Sequence, residues 1–348
     1  MNKNFLQLII YFAILCFMMP INSYADNTKL FGFLRAGAAM SLDNHEVEAF
    51  EGVDKNGDFN SSTFGLNISH KISSNLHIAA QFFSAGYEES FNTHLDWGYA
   101  SFSLTDELTL NFGKIKYPVL LYSEVVDIGN VYLWTAPPQE LYNAESEGAY
   151  LYLESFLGSS VVHSRYLGNY EIVAQIFAGN GSVEVGGHGS EGGHGTLDKM
   201  VGGSISISDD FFTLKSGFNR YNSAGISTLD GNDVNVISVG ANIDWNKFIL
   251  TTEYVKGMVS DNSEANTSVF YATLGYRINA LTPHISYSKL EAEEGRDVII
   301  AGLKYQFLPS TTVKLDYLHV SPEAEHGASH DEEAESFGIV RGALDFVF

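Results

Sequence analysis

The chain has 348 residues, 42 of them acidic against 19 basic, and its formal net charge of −23 excludes nucleic acid as a partner. The only cysteine, Cys16, lies in the first apolar run, so disulfides, thiolate catalysis and cysteine-zinc centres are excluded from everything after it. Gly 33, Phe 24 and Tyr 19 against Pro 7 mark an aromatic, glycine-rich β-protein.

The N-terminus reads as a secretory signal. Lys3 precedes an apolar run over 5–19, and Ser23-Tyr24-Ala25 supplies small residues ahead of a cut after Ala25. The run is shorter than the ~20 residues a spanning helix needs. Leu15 stands where a lipoprotein signal at Cys16 would carry a small residue. The expected organisation is a signal peptide at 1–25 and one domain at 26–348, the latter with 18 basic against 42 acidic residues, a net −24.

From there the hydrophobic period is two. "TFGLNISHKI" sets Phe64, Leu66 and Ile68 against Gly65, Asn67, Ser69 and Lys71. "LHIAAQFF" sets Leu76, Ile78, Ala80 and Phe82 against His77 and Gln81. "KFILTTEYVK" sets Phe248, Leu250, Thr252 and Tyr254 against Thr251 and Glu253. "VIIAGLKYQF" and "TVKLDYL" continue the pattern, the latter with Val313, Leu315 and Tyr317 against Lys314 and Asp316. Such alternation over about ten residues is the signal of a strand with two different faces.

The connections alternate between short and long. Short ones are expected at 73–75, 105–107, 168–169, 208–210, 245–246, 278–280 and 308–310. Long ones are expected at 42–60, 87–92, 115–146, 179–197, 222–234, 258–266, 291–296 and 321–335. Seven turns and eight loops imply sixteen strands with both termini on the short-turn side. Residues 147–157 are read as the end of the preceding loop or an extension of the strand at 158–167.

Strands of about ten residues exceed the usual five or six of a sandwich and, tilted, match the apolar band of an outer membrane. Tyr170, Trp245, Phe248, Tyr254, Tyr276, Tyr287, Tyr305, Phe307 and Phe348 fall where interfacial girdles would lie. The predicted fold class is therefore all-β, a transmembrane antiparallel β-barrel of 16 strands. Its last strand, "FGIVRGALDFVF", is apolar at Val340, Leu344, Phe346 and Phe348 on one side and carries Arg341 and Asp345 on the other.

With these features in view the chain resembles the general porins of Gram-negative bacteria, over essentially all of the mature length. "GALDFVF" looks like the family's C-terminal assembly signal, carried by Leu344, Phe346 and Phe348. "LTLNFGKIKYPVLLYSEVVDIGNVYLWTAPPQELY" resembles the strand that runs through a Gly-basic pair into the long third loop, which in porins folds into the lumen. The resemblance implies a pore constriction with loop acids Glu124, Asp127, Glu140 and Glu145 facing basic wall residues. Arg35, Lys71 and Arg341 are inward by alternation, and Lys114 corresponds to the family's basic residue after Gly113 although strict parity turns it to lipid. It further implies an outer-membrane location, contact with lipid and lipopolysaccharide, the barrel-assembly machinery, a homotrimer, and small hydrophilic solutes as cargo. A modest cation preference is expected, because wall basics offset loop acids and salt screens the outer charges.

The remaining signals are weak. His188 and His194 around Glu191, and His326 and His330 among carboxylates, offer imidazole and carboxylate, but on glycine-rich loops that are costly to order. "DKNGDFN" lacks the spacing of a calcium loop. Ser69-His70 and His163-Ser164 are strand neighbours facing opposite sides, so no nucleophile–base pair is expected. The sequence thus points to a passive diffusion channel with no cofactor, no metal and no enzymatic role. A substrate-selective channel for an anion or sugar is the second reading, and an adhesin or outer-membrane enzyme the third.

Overall fold

The computed structural model describes residues 27–43, 53, 55–87, 90–143, 149–185, 193–226, 229–292, 295–323 and 335–348. The expected signal peptide, Glu145, His188, Glu191, His326 and His330 lie outside them.

Sixteen strands form one closed antiparallel barrel. They are β1 (Thr28–Ser41), β2 (Thr63–Lys71), β3 (Leu76–Tyr87), β4 (Ser90–Ser103), β5 (Leu108–Lys116), β6 (Ser155–Leu167), β7 (Tyr170–Val185) and β8 (Gly193–Ser208). The second half comprises β9 (Phe212–Ala224), β10 (Asp233–Trp245), β11 (Phe248–Val259), β12 (Thr267–Tyr276), β13 (Leu281–Glu291), β14 (Arg296–Leu308), β15 (Thr311–Pro322) and β16 (Phe337–Val347). Each strand pairs with its sequence neighbours, and β1 pairs with β16 from Phe33↔Val347 to Ser41↔Ile339, so no edge is left open.

The tight turns follow from their residues. Gly168 (φ 65°), Asn246 (φ 56°) and Asn279 (φ 55°) occupy the left-handed region that Gly and Asn tolerate. The expected boundaries hold to within a few residues, with three corrections. β3 runs to Tyr87 and β4 starts at Ser90, so most of the expected loop at 87–92 is strand. β6 begins at Ser155, so 149–154 belong to the connection, where Ala149–Leu151 form a 3-10 turn. β7 and β8 extend through part of the expected loop at 179–197, with register shifts at Gly179/Gly181 and Asp198/Val201 absorbing the extra residues.

The two faces are inverted relative to a soluble protein. Along β15, Val313, Leu315 and Tyr317 are 43%, 52% and 44% exposed, while Lys314 and Asp316 are 2% and 1% exposed. All nine aromatics expected in the girdles are exposed. Apolar side chains outside and polar ones inside are what hydrocarbon requires of a closed barrel. The buried apolar cluster, meanwhile, joins Tyr117, Tyr122, Tyr132, Trp134, Leu141 and Tyr152 of the β5–β6 connection to Val236, Val255 and Tyr271 of β10–β12.

Candidate functional site

The connection between β5 and β6, residues 117–154, is the longest in the chain, and its base is tied by the Tyr117 amide donating to the Glu154 carbonyl at 3.1 Å. It contains two short helical pieces, a 3-10 turn at Gly129–Val131 and a single α turn at Gln139–Tyr142. Pro137 and Pro138 hold the chain extended just before the second, since the residue preceding proline disfavours the α region.

Its partners form a nearly continuous series around the barrel. Near its start, Ser238 Oγ on β10 donates to the Val119 carbonyl at 2.8 Å, and the Leu121 amide donates to Glu253 Oε1 on β11 at 2.7 Å. Tyr142 Oη, at the far end, donates to the other oxygen of Glu253 at 2.6 Å. In between, Trp134 Nε1 donates to Ser286 Oγ on β13 at 2.6 Å, and Thr135 donates through its amide and hydroxyl to Asp316 Oδ2 on β15 at 2.6 and 2.8 Å. Lys304 Nζ reaches the Asn130 carbonyl at 2.7 Å, and Lys314 Nζ the Trp134 carbonyl at 2.8 Å. Each wall partner belongs to the polar set that alternates with the exposed apolar residues. Burial pushes the Tyr122 and Tyr132 phenols up to about 12, because the phenolate has no water to solvate it.

Glu124, Asp127 and Glu140 of the connection each meet a basic residue. Glu124 Oε2 meets Lys215 Nζ of β9 at 2.8 Å, with Glu124 half exposed and Lys215 largely buried. Asp127 Oδ2 meets Lys116 Nζ at 2.8 Å, and the same ammonium meets Asp96 Oδ2 of β4 at 2.9 Å. Glu140 accepts from Ser288 Oγ at 2.9 Å and lies 3.6 Å from Arg296 Nε. Beside the connection a cavity of about 250 Å³ is lined by Tyr99, Asn111, Lys116, Glu124, Gln175, Ser204 and Lys215, among others.

Of the wall basics expected from the sequence, Arg35 and Arg341 face this connection. Arg35 Nη2 donates to Tyr132 Oη at 2.9 Å, and Arg341 Nη2 donates to Gln139 Oε1. Lys71 is the last, exposed residue of β2, at the short-turn end. Lys114 donates to the Leu95 carbonyl at 2.8 Å and shares its side of β5 with the exposed Phe112. Lys114 thus keeps the side that strand parity gives it, whereas Lys116, two residues on, departs from parity and makes the contact with Asp127. Sequence reasoning also passed over Lys215, Lys304, Lys314, Arg296 and Glu253. Their signal was present for Lys304, Lys314 and Glu253, which fall on the polar side of strands whose alternation is plain.

No family model matches the sequence, and no curated protein matches it. Solved structures do. The Salmonella typhi OmpF complex with daunomycin is 14% identical, with a TM-score of 0.61 over 92% of this chain and 98% of that one. An anion-selective porin from Comamonas acidovorans is 11% identical, with a TM-score of 0.58 over 92% and 99%. In-vitro folded OmpT of Vibrio cholerae, in its trimer form, is 12% identical, with a TM-score of 0.54 over 92% and 99%. The fold is thus that of the outer-membrane porins.

Proposed function

We propose that the mature protein is an outer-membrane channel of the porin type, a water-filled passage for ions and small hydrophilic solutes with no enzymatic step. The observation that carries this reading is the set of wall contacts made by the β5–β6 connection. A segment that touches β1, β9, β10, β11, β13, β14, β15 and β16 reaches them from the side toward which the sheet curves. It therefore lies across the lumen and narrows it.

The ion pairs set the expected selectivity. Glu124 with Lys215, Asp127 with Lys116 and Glu140 with Arg296 largely cancel at short range. The acidic excess elsewhere on the chain is screened beyond ~8 Å at physiological ionic strength. A modest cation preference follows. The trimer form of the Vibrio cholerae protein supports a homotrimer here, with lipopolysaccharide and the assembly machinery as partners of the exposed apolar belt and the terminal strand.

Planar-bilayer recording tests the reading. Ohmic single-channel conductance, with uncharged sugars excluded above a size limit, is the expected result; folded protein that inserts without conducting would refute it. A second reading, a solute-selective channel, is favoured by the polar and aromatic lining of the cavity at Tyr99, Asn111 and Gln175. Block by one sugar or anion at concentrations where others pass freely would select it.

A further inference from the structure

We infer that the inner wall beside the root of the β5–β6 connection carries a binding site for a divalent transition cation of the Zn²⁺ type, formed by His94, Asp96 and Glu154. One donor atom from each of the three lies within 4.8 Å of the other two. Around Zn²⁺, with bonds of about 2.0–2.2 Å, tetrahedral donors stand about 3.3–3.6 Å apart, so closing the site takes a movement of roughly 1 Å. His94 is exposed and can supply that movement by rotating its ring.

The carboxylates are placed by the backbone. The β3–β4 register runs Gln81↔Trp97 and then Phe82↔Leu95, which leaves Asp96 as the extra residue of a bulge. Bulges re-aim a side chain, and here the Asp96 side chain joins the polar interior. Ser155 Oγ donates to the Asp96 carbonyl at 3.0 Å and fixes the start of β6, with Glu154 next to it, against β4.

An independent observation points to a cation as the ligand. Asp96 is 1% exposed, and its Oδ2 accepts from Gln81 Nε2 at 2.5 Å and meets Lys116 at 2.9 Å. Its Oδ1 is buried without a hydrogen-bond partner among the described residues. An unpaired buried carboxylate oxygen is costly. Asp96, Asp127 and Glu154 gather around the ammonium of Lys116, so the locality is acidic.

The donor set decides which ion. An imidazole selects Zn²⁺, Cu²⁺ or Ni²⁺ over Mg²⁺ and Ca²⁺, which prefer all-oxygen sites. Three protein donors leave a position for water, and the nearby Lys116 charge opposes the ion. The site therefore exchanges its ion with the lumen instead of holding it permanently.

Zn²⁺ titration by calorimetry on the folded, detergent-solubilised protein tests this without reference to conduction. Wild type is compared with His94→Ala and Glu154→Gln, each verified as folded by heat-modifiable mobility, in the presence of excess Mg²⁺. The expected result is that each variant binds one equivalent fewer than wild type, or binds that equivalent at least tenfold more weakly, whatever the histidines of other loops contribute. Unchanged stoichiometry and affinity in both variants would overturn the proposal. So would full displacement of that equivalent by Mg²⁺.

Discussion

Arg35 and Asp345 are register partners across the β1–β16 seam, and their side chains meet there with Nε 2.7 Å from Oδ1, both withdrawn from solvent. The same cluster reaches the β5–β6 connection. Arg35 donates to Tyr132, Lys314 lies 3.1 Å from Asp345, and the Lys314 ammonium sits 4.4 Å from the Tyr132 ring centroid. One buried cluster therefore ties the seam to the connection.

This cluster predicts an asymmetry. Arg35→Ala leaves Asp345 paired with Lys314, whereas Asp345→Ala leaves two buried cations facing each other. Breaking a buried pair costs about 3–5 kcal/mol. Asp345→Ala should fall at or above that range and Arg35→Ala below it, read as shifts in the urea midpoint of refolded protein. Equal shifts would show that Lys314 does not share the carboxylate.

The terminal residue predicts an assembly phenotype. Phe348 and Gly32 exchange two backbone hydrogen bonds of 2.9 Å, and a Cβ on Gly32 would stand 2.6 Å from the Phe348 ring. Deleting Phe348, or making Gly32→Leu, should slow barrel formation far more than it changes the conductance of barrels that do form. Folding yields equal to wild type in both would remove the terminal strand from this role.

Selectivity should respond to the loop acids. Glu124→Gln removes the carboxylate that meets Lys215, and Asp127→Asn removes one of the carboxylates around Lys116. The double variant should move the reversal potential in a salt gradient toward anions, erasing or reversing the proposed cation preference. The change should grow at low salt, as the Debye length lengthens from ~10 Å at 0.1 M to ~30 Å at 0.01 M. A wild-type potential of anionic sign that persists at low salt would contradict the assignment.

Alkaline titration reads loop burial directly. The Tyr122 and Tyr132 phenols are pushed up to about 12, against about 10 for an unfolded tyrosine. A raised acid stabilises the fold fully below the unfolded value, and that contribution is lost as pH climbs from about 10 to 12. Phenolate absorbance should therefore rise in two phases, and Tyr122→Phe with Tyr132→Phe should shrink the late one. A single transition near pH 10 in protein that is still folded would place the connection in water.

Much of the fold was legible because a barrel strand writes its two environments at alternate positions. Val313, Leu315 and Tyr317 against Lys314 and Asp316 is the plainest case. The turns were legible from residues such as Gly168 and Asn246. What escaped were departures from parity and contacts distant in sequence. Gly113, at φ 135°, and the bulge at Asp96 disturb the wall where the connection leaves it, so Lys116 was passed over in favour of Lys114. Trp134 and Ser286 are 152 residues apart, and nothing local to either announces their hydrogen bond.

The central claim is that the β5–β6 connection crosses and narrows a water-filled lumen. Its most direct test is single-channel conductance, with a size series of uncharged sugars, in wild type and in a variant whose connection is shortened between Tyr117 and Glu154. The account predicts higher conductance and passage of larger sugars in that variant, with little change when residues 186–192 are trimmed instead. Equal effects of the two deletions, or no conductance from folded wild-type protein, would contradict it.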